Sequence, residues 1–268
     1  MVMRKDLATT MNTKIMGKET IVLAHGYGAD QTIWDKVLPD LAARYHVVVF
    51  DWCFSGAVKD SSLYDPIRYS SYDDFGDDLI SLMDELKLKS CVFVGHSMSG
   101  MIGCIASVKR PDLFKRLVLV SASPRLINTD DYEGGYEMSH IEQLLSSIES
   151  NFEEWATNFA SLVVDSNDPL SIQKFEDCLK RMKPEVALSV AKTVFLGDYR
   201  YILNQVVTPC NIIQSKHDIV VPDSVPKYIQ SQIKKTCEID IIDTEGHFPQ
   251  LTGHVQFIEV LDRILMSC

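Results

Sequence analysis

The feature that most constrains the fold is one serine between an apolar run and a helical pattern. Residues 91–94 are apolar and uncharged, which favours a strand buried on both faces. A turn of small residues follows at 95–100, and apolar residues then recur at helical spacing until Pro111. A strand, a sharp turn with a central serine and a helix form the context of a nucleophile elbow. The sequence therefore predicts Ser97 in a strained turn at a helix N-terminus, where developing negative charge is favoured.

One position departs from the usual Gly-x-Ser-x-Gly pattern of such an elbow. Ser99 occupies the last motif position, and Gly100 follows one residue late. Because serine is also small, we interpret Ser99 as a variation that leaves the elbow intact. The alternative is a connection rich in serine and glycine that carries no chemistry.

Composition excludes several classes of protein. The 268 residues carry a net charge of −11 without a basic block, so we expect neither nucleic acid nor a membrane as a partner. No run of about 18 apolar residues occurs, and residues 1–10 lack the apolar stretch of a signal peptide. The seven cysteines include no Cys-x-x-Cys pair, which indicates small core residues in a reducing compartment. We expect a cytoplasmic protein, with a nuclear pool left open.

Buried strands and amphipathic helices alternate through the first half of the chain. We predict strands at 12–16, 20–24, 45–50, 91–94 and 116–121, and helices around 34–41, at 72–86 and after Ser97. The pattern resumes with strands at 210–214 and 238–242, helices at 225–233 and 255–266, and a loop at 243–249. Alternation of this kind predicts a mostly parallel sheet with helices on both faces. No glycine-rich phosphate-binding motif is present, which disfavours nucleotide-binding folds.

A helical insertion interrupts this pattern before the last two strands. Residues 138–197 show helical periodicity without a strand, and we predict helices at 140–150, 152–164, 170–182 and from Pro184 onward. Such an insertion would cover the carboxyl edge of the sheet, where folds of this class bind ligands. We therefore predict a core of residues 1–124 and 198–268 and a helical cap of residues 125–197.

Two residues late in the chain can activate the serine. A serine hydroxyl needs a base within hydrogen-bond reach, and that base needs an acid to hold its tautomer. Asp218 follows the strand at 210–214 and His247 follows the last strand, so the chain order is Ser, Asp, His. We predict Ser97, Asp218 and His247 as a catalytic triad for acyl transfer. Less suitably placed alternatives are Asp51, His96, His217, Asp243 and His254.

The loop after the strand at 20–24 predicts the rest of the catalytic site. It reads His25-Gly26-Tyr27-Gly28, and its glycines let the backbone approach a ligand closely. With a nucleophile elbow, this loop supplies one oxyanion-hole N–H and the residue after the nucleophile supplies the other. We predict the backbone N–H groups of Tyr27 and Met98 in these roles, and the alternative is a plain strand-to-helix turn. Because the histidines lack a ligand spacing with thiols or carboxylates, we predict no metal and no cofactor.

Several segments together resemble the plant strigolactone- and karrikin-receptor family of α/β-hydrolases. The matching segments span nearly the whole chain and lie at 25–34, 50–52, 95–99, 101–107, 121–125, 131–135 and 246–251. The segment at 132–136 and the Val-Val-Asp run at 163–165 are similar to the divergent dwarf-fourteen-like-two branch of that family. Tyrosine replaces the family's usual phenylalanine at positions 27 and 136, and Met98 replaces a smaller residue.

This resemblance implies an α/β-hydrolase core under a V-shaped cap of four helices, with the triad as predicted above. It also implies a pocket lined by Tyr27, Tyr136, Trp155, Phe159, Phe175 and Phe195, although helix packing is the alternative for any one of them. We expect slow hydrolysis of a small apolar butenolide, lactone or other ester. The alternative is a ligand-gated hormone receptor in which hydrolysis is secondary. The implied partners are the small ligand and, for a receptor, an F-box protein and repressor proteins, with the chain itself a monomer.

Overall fold

Seven strands form one sheet in the computed structural model, which describes residues 8–11 and 19–267. The strands are β1 (Ala8–Met11), β2 (Thr20–Ala24), β3 (His46–Phe50), β4 (Cys91–His96), β5 (Phe114–Val120), β6 (Cys210–His217) and β7 (Cys237–Glu245). Their order is β1-β3-β2-β4-β5-β6-β7, and only β1 pairs antiparallel. The mostly parallel sheet is therefore confirmed. The strand predicted at 12–16 lies outside the described residues.

Eleven α-helices occur in the described part of the chain. They are α1 (Leu38–Arg44), α2 (Tyr72–Glu85), α3 (Met98–Lys109), α4 (Met138–Ser150), α5 (Phe152–Val163), α6 (Pro169–Lys180), α7 (Pro184–Phe195), α8 (Arg200–Leu203), α9 (Ser224–Gln232), α10 (Pro249–Thr252) and α11 (His254–Met266). Short 3-10 helices lie at Gln31–Trp34, Ser61–Leu63, Arg68–Ser70 and Pro111–Leu113. Among residues 8–11 and 19–267, no helix is long and apolar enough to cross a membrane.

Several element boundaries differ by a few residues from the sequence-based expectation, and two of these differences have a clear local cause. The helix predicted around 34–41 is divided into a 3-10 helix, which Asp30 caps by accepting from the Thr32 N–H, and α1, which has a proline in its first turn. The loop predicted at 243–249 begins later, because β7 continues to Glu245. It does so because His217 of β6 pairs with Glu245 beyond an irregularity in the ladder.

The connections change direction between the neighbouring strands β2 and β4. The chain runs from β2 to β3 on one side of this pair and from β4 to β5 on the other. In open α/β sheets, the crevice at the carboxyl ends of such strands is where ligands bind. The loop that begins at His25 follows β2, and Ser97 follows β4, so both segments leave the sheet at this crevice.

The core of the molecule is this sheet, covered by helices on both faces. Every residue of β4 is buried, and all but the first residues of β2 and β3 are buried as well. Strands buried in this way are expected of a parallel sheet between two helical layers. Six cysteines of the described residues are unpaired and buried: Cys53, Cys91, Cys104, Cys178, Cys210 and Cys237.

The cap helices, α4 to α7, lie in the chain between β5 and β6, where the sequence predicts an insertion. Helix α4 packs against α7, and α5 packs against α6. The Lys36 ammonium contacts Asp168 at 2.8 Å, and the Tyr64 hydroxyl donates to Ser189 Oγ at 2.9 Å. These contacts join the cap helices to the core. The division at residues 124/125 and 197/198 stays a prediction.

Candidate active site

Ser97 lies at the turn between β4 and α3 in a backbone conformation that side chains rarely adopt. Its φ is 55° and its ψ is −122°, and its N–H donates to the Val120 carbonyl at 2.8 Å. Gly26 approaches this turn so closely that a Cβ there would lie 2.9 Å from Ser97 Cβ. The local geometry is therefore that of a nucleophile elbow, with the loop after β2 packed directly against it.

The structure brings Ser97, His247 and Asp218 into one hydrogen-bonded row. His247 Nε2 lies 3.0 Å from Ser97 Oγ, and His247 Nδ1 lies 2.9 Å from Asp218 Oδ2 and 3.1 Å from Oδ1. A neutral imidazole with its proton on Nδ1 donates to Asp218 and accepts from the serine hydroxyl. This arrangement has the order and the distances that a serine nucleophile, its base and its acid require.

The Asp218 carboxylate is held by three donors besides His247. Its Oδ1 accepts from the backbone N–H groups of Val220 at 2.9 Å and Val221 at 3.2 Å. Its Oδ2 accepts from Gln214 Nε2 at 3.0 Å, and the side chain has no exposed surface. These bonds fix the carboxylate with one edge toward the imidazole. Gln214, within β6, is a support that the sequence analysis did not identify.

His96, which the sequence analysis treats only as a weaker candidate base, supports His247 instead. Its Nε2 donates to the backbone carbonyl of His247 at 2.8 Å. The side chain is buried, and burial lowers the pKa of His96 well below its usual value, with the neighbouring His247 acting in the same direction. A neutral His96 with its proton on Nε2 therefore keeps this donor role.

The two predicted oxyanion donors lie on either side of the crevice. Tyr27 follows β2, and Met98 is the first residue of α3, directly after the nucleophile. Within the described ranges, neither N–H donates to another backbone carbonyl outside regular secondary structure. Both groups are therefore available to an oxygen atom that carries developing negative charge.

A narrow cavity opens above the serine, with about 370 Å³ of atom-free space including its mouth. Ser97, His96 and His247 contribute its polar surface. Four of the six predicted pocket aromatics line it: Tyr27, Phe159, Phe175 and Phe195. The remaining lining residues are Leu126, Val163, Val194, Val220 and Phe248. No sequence motif marks these apolar lining residues, although Val220 and Phe248 closely follow the predicted acid and base in the chain.

Trp155 and Tyr136 are not among the residues that line this cavity. Trp155 lies behind its wall, with its ring stacked on Phe159 at 4.9 Å between centroids. Tyr136 lies beside the Asp218 loop, where burial and the Asp218 charge raise its pKa to about 12. Both side chains therefore support the site from outside the cavity.

The hydroxyl of Tyr27 is directed away from the cavity. It donates to the backbone carbonyl of Ala187 in α7 at 3.0 Å, and burial raises the pKa of Tyr27 far above its usual value. Only the ring of Tyr27 is then available to a ligand. The aromatic wall above Ser97 is consequently apolar in spite of this hydroxyl.

The arrangement can perform acyl transfer on an ester or lactone. A carbonyl carbon placed above Ser97 would meet a hydroxyl, a base and two backbone donors within a largely apolar enclosure. Among the described residues, no group of three or more His, Cys, Asp or Glu side chains could hold a metal ion.

Comparisons with known proteins agree with the fold described above. A family model described as alpha/beta hydrolase fold matches residues 19–193. The chain is 45% identical to the karrikin insensitive 2 receptor B of Petunia hybrida, over 88% of this chain and 87% of that protein. It is 38% identical to a strigolactone esterase of Arabidopsis thaliana, over 97% of this chain and 98% of that protein. A hydrolase structure from Oleispira antarctica aligns with a TM-score of 0.93 at 29% identity, covering 100% and 99% of the two chains.

Proposed function

Because the chain belongs to the α/β-hydrolase family, within its group of karrikin receptors and strigolactone esterases, we propose that it is a serine hydrolase of small, mostly apolar butenolides, lactones or esters. The observation that carries this proposal is the hydrogen-bonded row of Ser97, His247 and Asp218 at the floor of an apolar cavity. The family model and these relatives confirm the fold class and the family expected from the sequence.

In the proposed mechanism, Ser97 Oγ attacks the substrate carbonyl while His247 Nε2 takes the hydroxyl proton. Asp218 holds the Nδ1 proton and stabilises the imidazolium. The Tyr27 and Met98 N–H groups bind the oxyanion, whose collapse breaks the bond to the leaving oxygen. His247 returns the proton to that oxygen. A water molecule, activated by the same imidazole, then releases the acyl group from Ser97.

The cavity supports a small and uncharged substrate. Phe159, Phe175 and Phe195 give it aromatic walls, and none of the described residues that line it is Asp, Glu, Lys or Arg. The narrowness of the cavity favours a compact ring over a long acyl chain. The relatives named for karrikin and strigolactone favour a butenolide as this ring.

Butenolide-ring release from a synthetic strigolactone analogue tests this proposal. We expect wild type to release the ring and Ser97→Ala to be slower by about 10³-fold or more, since the nucleophile is absent. Ser107→Ala is a control for loss of a serine hydroxyl, because Ser107 is buried in α3 and donates to the Cys104 carbonyl, away from the proposed triad. Equal release by wild type and Ser97→Ala would overturn the proposal. Activity on simple esters without butenolide release would instead indicate an unrelated metabolic ester.

A second candidate is a ligand-gated receptor in which hydrolysis is secondary. It is favoured by the cavity walls, because Phe159, Phe175 and Phe195 belong to cap helices and would contact a bound ligand directly. A receptor would recruit an F-box protein only when ligand is present. Pull-down of an F-box protein by Ser97→Ala, with and without a butenolide ligand, tests this. Binding of the F-box protein that does not depend on the ligand would count against a receptor.

A further inference from the structure

The side chain of Ser99, the residue that departs from the elbow motif, has two polar partners in the core. Ser99 is fully buried, and its Oγ donates to the backbone carbonyl of His25 at 2.5 Å. The same oxygen accepts from the indole N–H of Trp52 at 2.9 Å. The usual glycine at this position could make neither bond. Ser99 is therefore more than a tolerated small residue.

The His25 carbonyl is one of the groups through which the loop after β2 is attached to the core. It accepts a second bond, at 3.0 Å, from the Trp52 indole N–H, and the Trp52 backbone N–H donates to His25 Nε2 at 3.1 Å. Gly26 and Tyr27 follow directly, and Tyr27 carries one proposed oxyanion donor. The His25 carbonyl belongs to the peptide plane that precedes the plane of the Tyr27 N–H, with only the Gly26 dihedral angles between them, so holding it restricts where the Tyr27 N–H can lie.

Helix α3 thus acts on both proposed oxyanion donors. It supplies the Met98 N–H from its first residue, and its second residue, Ser99, binds the loop that supplies the Tyr27 N–H. Oxyanion stabilisation depends on donors that are fixed before the reaction begins. Ser99 therefore connects the helix that carries one donor to the loop that carries the other, which restricts changes in their separation.

We propose that Ser99 is a positioning residue for the oxyanion hole, holding the Tyr27 N–H in place through the His25 carbonyl. The inference rests on the proposed hydrolase function. A positioning role differs from a purely structural role in its effect on kcat and KM. A positioning residue affects the transition state, so its loss lowers kcat and leaves KM nearly unchanged.

The experiment measures kcat, KM and thermal stability for Ser99→Gly, Ser99→Ala and Ser99→Thr on an activated ester. We expect kcat to fall about tenfold for glycine and alanine, less than for a deleted oxyanion donor because Trp52 still holds the His25 carbonyl. Threonine, which keeps the hydroxyl, should recover part of this loss. A trifluoromethyl ketone that forms a tetrahedral adduct should bind about tenfold more weakly to Ser99→Ala, whereas a non-reacting butenolide should bind as to wild type.

Ser107→Ala separates positioning from packing. This variant also removes a buried hydroxyl from α3, so it should lose similar stability but keep kcat. If Ser99→Gly and Ser99→Ala match wild type in kcat and in ketone affinity, the Ser99 inference is wrong and the hydrolase proposal stands. If wild type itself neither hydrolyses the ester nor binds the ketone, the hydrolase proposal fails and the inference fails with it.

Discussion

The backbone N–H of His247 donates to the carbonyl of Val163 across 2.7 Å. Val163 is the last residue of cap helix α5, so the cap holds the proposed base directly. The neighbouring residues Val164 and Gly246 form an isolated bridge beside this bond. On its other side, the His247 carbonyl accepts from His96 of the core. The position of the base therefore depends on the cap and the core together.

Replacing Gly246 by alanine should separate the base from the cap. Gly246 has a φ of 82°, and a Cβ there would lie 2.8 Å from the Asp165 nitrogen and 2.9 Å from the Val163 oxygen. Because the loop must shift to relieve these contacts, we expect kcat to fall about 10- to 100-fold. The free energy of unfolding should fall by about 1–3 kcal/mol. Ester hydrolysis and urea denaturation measure the two effects.

Gly135→Ala provides the control for backbone strain. Gly135 has a φ of 109°, and its Cβ would lie 3.1 Å from Pro222 Cδ and 3.7 Å from the Val220 oxygen, farther than the contacts of a Cβ at Gly246. We expect a comparable loss of stability with kcat within about twofold of wild type. If Gly246→Ala lowered stability but left kcat unchanged, the base would not depend on its contact with the cap.

Replacing Asp218 by asparagine should disable the proposed base, His247, while keeping the fold. The asparagine oxygen can still accept from the Val220 and Val221 N–H groups. The Gln214 amide can turn so that its oxygen accepts from the asparagine nitrogen, which exchanges its bond to the Val221 carbonyl for the new one. The asparagine nitrogen then donates to His247 Nδ1, which places the imidazole proton on Nε2, facing Ser97. We expect kcat to fall about 10³- to 10⁴-fold with little change in KM or in the melting temperature.

Asp243→Asn is the matched control for the acid. Asp243 is the nearest other aspartate in sequence to His247, but it is exposed and pairs with Lys216 at 2.9 Å. Its replacement should leave kcat unchanged. A large loss in Asp243→Asn, or full activity in Asp218→Asn, would contradict the proposed acid.

The parts of the site that follow local chain rules could be predicted from the sequence. The elbow at Ser97 needs only a strand, small turn residues and a helix, all within 17 consecutive positions of the chain, 91–107. Asp218 and His247 could be located because parallel strands end at one edge of a sheet. These relations depend on side-chain type and chain order, which a sequence displays directly.

Contacts made by backbone atoms across the fold could not be predicted in this way. The Val163 carbonyl that binds His247 and the Ala187 carbonyl that binds Tyr27 belong to residues with no polar side chain. Trp155 and Phe159 show the same limit, since both are aromatic on one helix and only packing of the cap decides which one lines the cavity. The sequence identifies the proposed catalytic groups better than it identifies the contacts that hold them.

Removing the Tyr27 hydroxyl should weaken the attachment of the loop after β2 to the cap. Tyr27→Phe keeps the ring but loses the bond to Ala187 in α7. We expect a loss of about 1 kcal/mol in the free energy of unfolding and about a threefold lower kcat. Tyr64→Phe is the control, because the Tyr64 hydroxyl also bonds to α7, at Ser189, but lies outside the oxyanion loop. Equal kcat values in the two variants would show that the Tyr27 contact only stabilises the fold.

Two buried histidines make the stability depend on pH. Burial lowers the pKa of His25 and of His96, so the folded state resists protonation of both. Below about pH 6.5, the usual histidine pKa, the unfolded chain binds protons that the folded chain does not. Their contribution to stability is therefore complete above that pH and is lost as the pH falls toward the folded-state pKa values.

We therefore expect the free energy of unfolding to be about 2 kcal/mol lower at pH 5.5 than at pH 7.5, since each such group contributes up to about 1.4 kcal/mol per pH unit. Urea denaturation at pH 7.5, 6.5 and 5.5 measures this dependence. His96→Gln, whose amide N–H can replace the donor to the His247 carbonyl, removes one of the two groups. Its stability should fall less than that of wild type over the same range, because only His25 then contributes from the pair. A stability that stays constant or rises on acidification would contradict this account of the buried histidines.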